Sequence, residues 1–266
     1  MKMNFSSLLL LLICCSTLSA QDFSAKIESI SEFRSSDPGE TALDIYLHYD
    51  GLDINEYTLF KVIPSLAIDD LGNRLSAAGK PDFLRPSISH AKLEGPMRDA
   101  SSLQQVVMQI QCFNPSIENG AIVRIPNFYD KRGANLLAPY HEYQDLNFVV
   151  IDSIGTKAEI AALMGKDTLP DYMGSEFKPR PDQDWYATYL LFEDPEGQIM
   201  KIDILDAAGN PVEHINWDRL SYGKVVQQRR IYFQTPIQKD WTLQLVLENE
   251  KALSEQTVEF VDVKLH

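Results

Sequence analysis

The first place to look for chemistry is Tyr140-His141-Glu142-Tyr143-Gln144-Asp145, where an imidazole stands beside two acids and two phenols. A zinc protease needs a second histidine one helical turn on, with the glutamate between, so that both rings face one ion. Asp145 occupies that position, and Pro139 and the strand that follows leave little room for a helix. The segment reads as a polar connection into a strand over 146–151. The other histidines, His48, His90, His214 and His266, are dispersed and lack a second spaced ligand. A metal site assembled from distant residues stays open on these grounds, and no cofactor is expected.

Nucleophile motifs are equally thin. There is no Gly-x-Ser-x-Gly elbow and no strand-helix alternation to hold one. Paired carboxylates for glycoside hydrolysis depend on spatial separation, and with 38 acidic residues the sequence cannot choose a pair. A hydrolase with a spatially assembled carboxylate or His site is the alternative to a binding role. The turns with Asp69, Asp70, Gly72 and Asn73, and with Asp203, Asp206, Gly209 and Asn210, raise calcium-dependent adhesion. Calcium needs six to eight oxygens, and neither turn has the regular Asp succession ending in Glu. Gly and Asn serve a tight turn without any metal.

Aromatic residues give the most usable binding hypothesis. Trp217 follows Asn216 and precedes Asp218 and Arg219, with Tyr222 close behind. Such a group can stack on a sugar face while its polar neighbours bond the hydroxyls; plugging the end of a sandwich is the plain alternative. We take Trp217, Asp218, Arg219 and Tyr222 as the expected ligand-binding residues. Phe128, Tyr129, Lys131 and Arg132 form a second aromatic and basic loop. Trp241 belongs to a core, being in phase with Leu243, Leu245 and Leu247.

The elements that must position these residues are strands. Leu43, Ile45, Leu47 and Tyr49 alternate with polar residues, as do Met200, Ile202 and Ile204, and each pattern buries one face. Turn signals separate them: Asp37-Pro38-Gly39, Asp70-Leu71-Gly72-Asn73, Asp194-Pro195-Glu196-Gly197 and Ala208-Gly209-Asn210-Pro211. One helix is predicted, with Thr156 and Glu159 as a capping box, Ile160, Leu163 and Met164 on one face, and Gly165 ending it. Its length suits a connector. Pro170, Gly174, Pro179 and Pro181 then punctuate a polar stretch up to Trp185.

The expected architecture is all-β: two tandem antiparallel β-sandwich domains, 21–154 and 185–266, joined by a helix and Pro-containing linker over 155–184. A repeat supports the pairing. Residues 65–75 resemble 203–212, 109–117 resemble 230–237, and the strands at 148–151 and 260–263 close the two halves. By strand rhythm the halves resemble immunoglobulin-like sandwich modules of exported bacterial proteins; that resemblance brings no active site with it.

Export is read from the N-terminus. Lys2, the apolar run from Leu8 to Ile13 with Cys14 and Cys15, and the small residues from Ser16 to Ala20 form a signal peptide over 1–20. The run is too short to span a bilayer. A lipoprotein is less favoured, because Ile13 and Cys14 stand where small residues normally precede a lipidated cysteine. The chain is therefore expected to be secreted or periplasmic, with no membrane span. Cys112 would then be the sole cysteine of the mature chain, so no intramolecular disulfide can form; in phase with Val106, Met108 and Ile110, it reads as a core thiol. Removing Lys2 takes the net charge from −14 to −15, with 23 basic residues against 38 acidic. That field repels nucleic-acid phosphates, so nucleic acid is excluded as a partner. A glycan or another envelope protein is the expected partner, bound without catalysis.

Overall fold

The computed structural model describes residues 23–33, 42–95, 99–153, 156–173, 186–214, 217–222 and 226–265, with the backbone alone for 172–173 and 217–220. The expected signal peptide, the Asp37-Pro38-Gly39 turn and the punctuated stretch from Gly174 to Trp185 lie outside these residues. The protein is all-β, with several antiparallel sheets and, among the described residues, one short α-helix. No helix among the described residues is long and apolar enough to cross a membrane.

The chain divides into two compact units, neither continuous in sequence: 1–53 with 61–110 and 254–266, and 54–60 with 111–253. In the first unit, β1 (Ser24–Phe33), β2 (Ala42–Asp50) and β4 (His90–Glu94) form one sheet in the order β1-β2-β4. A second sheet, which lies mostly in this unit, contains β3 (Leu59–Asp69), β5 (Ser102–Phe113) and β14 (Leu253–Lys264) in the order β14-β5-β3. The alternation predicted for β2 is real: Leu43, Ile45, Leu47 and Tyr49 are buried, while Asp44, Tyr46, His48 and Asp50 are not. The buried Tyr49 hydroxyl and Ser89 Oγ hydrogen-bond at 2.5 Å. Cys112 is buried in β5 in phase with Val106, Met108 and Ile110.

In the second unit, β6 (Ile122–Pro126), β10 (Ile199–Leu205) and β13 (Thr242–Leu247) form a sheet ordered β10-β13-β6. A five-stranded sheet runs β7-β9-β12-β11-β8, from β7 (Asn147–Ile151), β8 (Tyr172–Met173), β9 (Tyr186–Glu193), β11 (Trp217–Tyr222) and β12 (Val226–Phe233). One core lies between these two sheets. It contains Val123, Phe148, Phe192, Ile204, Phe233 and Leu245, and Trp241 joins it as its phase predicts. Facing sheets with interdigitated side chains make this unit sandwich-like.

The far side of the five-stranded sheet carries a second core. Helix α1 (Lys157–Leu163) sets Ile160, Ala161 and Met164 against Val149, Ile151, Leu191, Tyr222 and Val226. That is why Phe148 to Ile151 are buried at every position: β7 has the sandwich on one face and the helix on the other. The capping box forms as predicted, with Glu159 N donating to Thr156 Oγ1 (3.2 Å) and Thr156 N to Glu159 Oε2 (2.6 Å); Gly165 follows at φ +66°. The helix is more than a connector. It covers a sheet face, and it lies between β7 and β9, which pair directly from Asn147↔Glu193 to Ile151↔Tyr189.

One alternation slips. The β10–β13 register shifts between Ile199 and Lys201, so Ile199 rather than Met200 packs on the core with Ile202 and Ile204. A bulge inserts one residue and flips the face on one side of it.

Candidate functional site

Converging polar side chains occur on the outer face of β10-β13-β6. Asp203 pairs with Gln244, and Gln244 with Arg124, so the three residues cross the sheet on one rung. Alternation sends all three away from the core that takes Ile202, Leu243 and Val123. Tyr57 lies over them. Its hydroxyl donates to Asp203 Oδ2 (3.1 Å) and accepts from Gln244 Nε2 (2.8 Å), while Arg124 Nε donates to Gln244 Oε1 (2.8 Å). Lys201 Nζ is 3.1 Å from Asp203 Oδ2 and 4.5 Å from the Tyr57 ring centre. Burial, then the Asp203 charge, pushes the Tyr57 phenol up. A phenol held protonated and already donating to a carboxylate cannot serve as a base at neutral pH. The cluster instead fastens residues 54–60, which Asn55 and Thr58 continue: Thr58 Oγ1 donates to Asn114 Oδ1 (2.7 Å) and Asn55 Nδ2 to Pro115 O (2.9 Å).

The Asp-rich turns are hairpin devices. Asp69 Oδ1 accepts from Leu71 N (3.0 Å) and Asn73 N (2.7 Å); Asp206 Oδ1 accepts from Ala208 N (2.9 Å) and Asn210 N (2.8 Å). Gly72 and Gly209 take φ +83° and +86° to close the loops. Asp194 does likewise for Gln198 N and Ile199 N. Asp70 accepts from Ser101 N and from its hydroxyl at 2.5 Å; that hydroxyl bond holds the Asp70 carboxyl below its usual range. The backbone N–H of Asn210 does the same for Asp206. Carboxylates spent on backbone N–H groups are the turn chemistry weighed against calcium above. Among the described residues, no three His, Cys, Asp or Glu side chains gather as a metal site.

The expected ligand-binding residues lie on strand β11. Its pairing with β12 sets Trp217 opposite Ile231, Asp218 opposite Arg230, Arg219 opposite Arg229 and Tyr222 opposite Val226. The side chains of Trp217, Asp218 and Arg219 lie outside the described residues. Tyr222 is buried in the core under α1, and its hydroxyl donates to Gln228 Oε1 (3.2 Å). In the second aromatic loop, Phe128 is core; Arg132 stacks 3.9 Å over Tyr129 and pairs with Asp152 at 3.0 Å. Around His141, a short 3₁₀ turn of 141–143 buries Tyr143, whose hydroxyl donates to Gly120 O (2.9 Å) and accepts from Asn249 Nδ2 (2.7 Å). That residue is a structural anchor.

Sequence reasoning missed the outer face of β2. Asp44, Tyr46, His48 and Asp50 share that face, and the β2–β4 register places His90 beside Tyr46, ring centres 5.2 Å apart. The His90 ring is fixed by Nδ1 against Ile88 O (2.9 Å), with Nε2 3.8 Å from Asp44 Oδ1. Asp50 takes Lys26 Nζ at 3.0 Å and His48 Nε2 at 3.2 Å, and the Lys26 bond draws its carboxyl down. The result is a line of acceptors, donors and two rings held on a sheet. The alternation in the sequence did mark these side chains as one face; what it could not supply was the partner strand bringing His90. No family profile, curated protein or solved structure matches this chain.

Proposed function

We propose that the chain is an exported, non-catalytic binding protein of the cell envelope or exterior, built from immunoglobulin-like sandwich modules. In this reading its ligand, a glycan in preference to a protein, docks on the outer face of β2. The observation that carries it is the Tyr46–His90 aromatic pair flanked along one strand by Asp44, His48 and Asp50. Aromatic rings offer an apolar face to a pyranose, and rigid acceptors and donors beside them bond its hydroxyls. A strand holds such groups more firmly than a loop does.

The polar groups that converge elsewhere favour binding over hydrolysis. Tyr57, Asp203 and Gln244 bond one another, and Asp69, Asp194 and Asp206 hold backbone turns. The test is a glycan-binding screen of residues 21–266 beside its Tyr46→Ser and His90→Ala variants. Binding that both variants lose supports the reading. Turnover of an envelope substrate that one polar substitution abolishes would replace it with the hydrolase.

A further inference from the structure

The register of sheet β1-β2-β4 extends its outer face beyond the Tyr46–His90 pair. Along β2 that face carries Ala42, Asp44 and Tyr46. Phe33 and Glu94 stand on either side of Ala42, Lys92 beside Asp44, and His90 beside Tyr46. Directly opposed residues share a face. Asp44 is thus flanked along the sheet by aromatic groups, the Tyr46–His90 pair on one side and Phe33 on the other. On such a diagonal, Phe33 is roughly 7–8 Å from Asp44.

Packing within the fold accounts for neither Phe33 nor Asp44. Phe33 is 63% exposed, a phenyl ring left in water on a sheet surface. Among the described residues, none donates a hydrogen bond to the Asp44 carboxylate, and its Oδ1 is buried without a partner. His90 Nε2, at 3.8 Å, is beyond hydrogen-bond reach. Because His90 Nδ1 donates to Ile88 O, Nε2 of the neutral ring is an acceptor and has no proton for Asp44. Lys92 stands opposite Asp44 but is exposed, and no ion pair joins the two. A part-buried carboxylate without a donor is a group that a ligand can complete. With 27% of its side chain open, Asp44 can be reached from the face.

We propose that the ligand of this face is a glycan of free amino sugars, whose protonated amino group binds the Asp44 carboxylate between Tyr46 and Phe33. An ammonium brings three donors and no acceptor, which suits a carboxylate that lacks donors. Aromatic faces on either side attract a cation and the apolar faces of the sugar rings. The field of a chain of net charge −14 draws cations, and Glu94 on the same face adds to it locally. Acidic sugars would meet repulsion from both carboxylates. This inference rests on the glycan-binding reading and narrows it to one class of sugar.

The test is isothermal titration of the protein with a glucosamine hexasaccharide, its fully N-acetylated counterpart and spermidine. The free-amine sugar should bind about tenfold tighter than the acetylated one, the worth of a hydrogen bond to a charged group. Asp44→Asn should remove that difference while leaving the acetylated sugar as it was. Lys92→Ala, which takes away a competing cation, should strengthen the free-amine sugar, and Phe33→Ser should weaken both. Equal binding of the two sugars, or a preference that Asp44→Asn keeps, would overturn the amine contact and leave the Tyr46–His90 platform standing. Spermidine binding as tightly as the free-amine sugar would reduce the effect to charge attraction and overturn the proposal. No binding of either sugar would overturn it too, and the glycan screen with Tyr46→Ser and His90→Ala then decides the broader reading by itself.

Discussion

Asp69 and Asp206 do the same thing in two hairpins, one in each compact unit: each carboxylate accepts the backbone N–H groups two and four residues on. The main chain repeats too. Asp69 N and Asp206 N each donate to the carbonyl four residues later, and Leu75 N and Val212 N each donate to the carbonyl eight residues earlier. This gives the resemblance between 65–75 and 203–212 a shared backbone path. The second resemblance is looser, since β5 and β12 each end on a buried phenylalanine, Phe113 and Phe233. The third does not extend to environment: β7 is buried, whereas Val261 in β14 is exposed and Asp262 has φ +53°.

The twin carboxylates differ in burial, and so in consequence. Asp69 is fully buried, so Asp69→Ala leaves backbone donors unpaired away from water and should cost about 1–3 kcal/mol. Asp206→Ala exposes its donors to solvent and should cost clearly less. Urea denaturation of the two variants would show the order; equal losses would contradict the assignment.

Stability should fall at low pH through the same turns. The Asp70 and Asp206 carboxyls are held below their usual range in the folded chain, so they bind protons more weakly there than when unfolded. Their contribution is present above the unfolded value of about 3.9 and is lost as pH falls through the folded values. Asp206→Asn should flatten the acid limb of a stability-pH profile below about pH 4. An unchanged limb would show that the turn bonds do not favour the ionised form.

Tyr57→Phe removes a donor from Asp203 and an acceptor from the buried Gln244 amide. The expected loss is about 1–3 kcal/mol. Ultraviolet titration should also show that Tyr57 resists ionisation above the ordinary phenol range, and the variant should lack that step. A phenol that titrates normally would mean that residues 54–60 are not fastened there.

Helix α1 should be cap-dependent. Thr156→Ala removes the side-chain half of the capping box and should cost about 1 kcal/mol. Met164→Ala leaves a cavity beneath the helix and should cost about 2–5 kcal/mol. Hydrogen exchange should speed over 157–165 in both. If Met164→Ala is neutral, the helix is only a connector.

The sequence made the local devices readable. Thr156 and Glu159 announced the helix because both halves of the cap lie within four residues, and β2 and β13 announced their inward faces by period two. Burial that depends on a distant cover was not readable. Gln244 and Val246 interrupt the pattern of β13 because the outer face is also buried, and the hydroxyl over Gln244 comes from Tyr57, 187 residues away. The polar sequence around Trp217 hid β11, whose strand character is set by pairing with β12. Among candidate sites, Tyr46 was visible as one residue of a polar face; His90 reaches it through strand pairing across 44 positions.

If Tyr46 and His90 form a ligand platform, a thermal-shift panel of envelope and extracellular glycans on residues 21–266 and on Tyr46→Ser will register it. A glycan at about 100 times its dissociation constant should add roughly 2.7 kcal/mol, a shift of several degrees. At least one glycan should give such a shift, and Tyr46→Ser should lose it. No shift across the panel, or a shift that Tyr46→Ser retains, would rule the platform out.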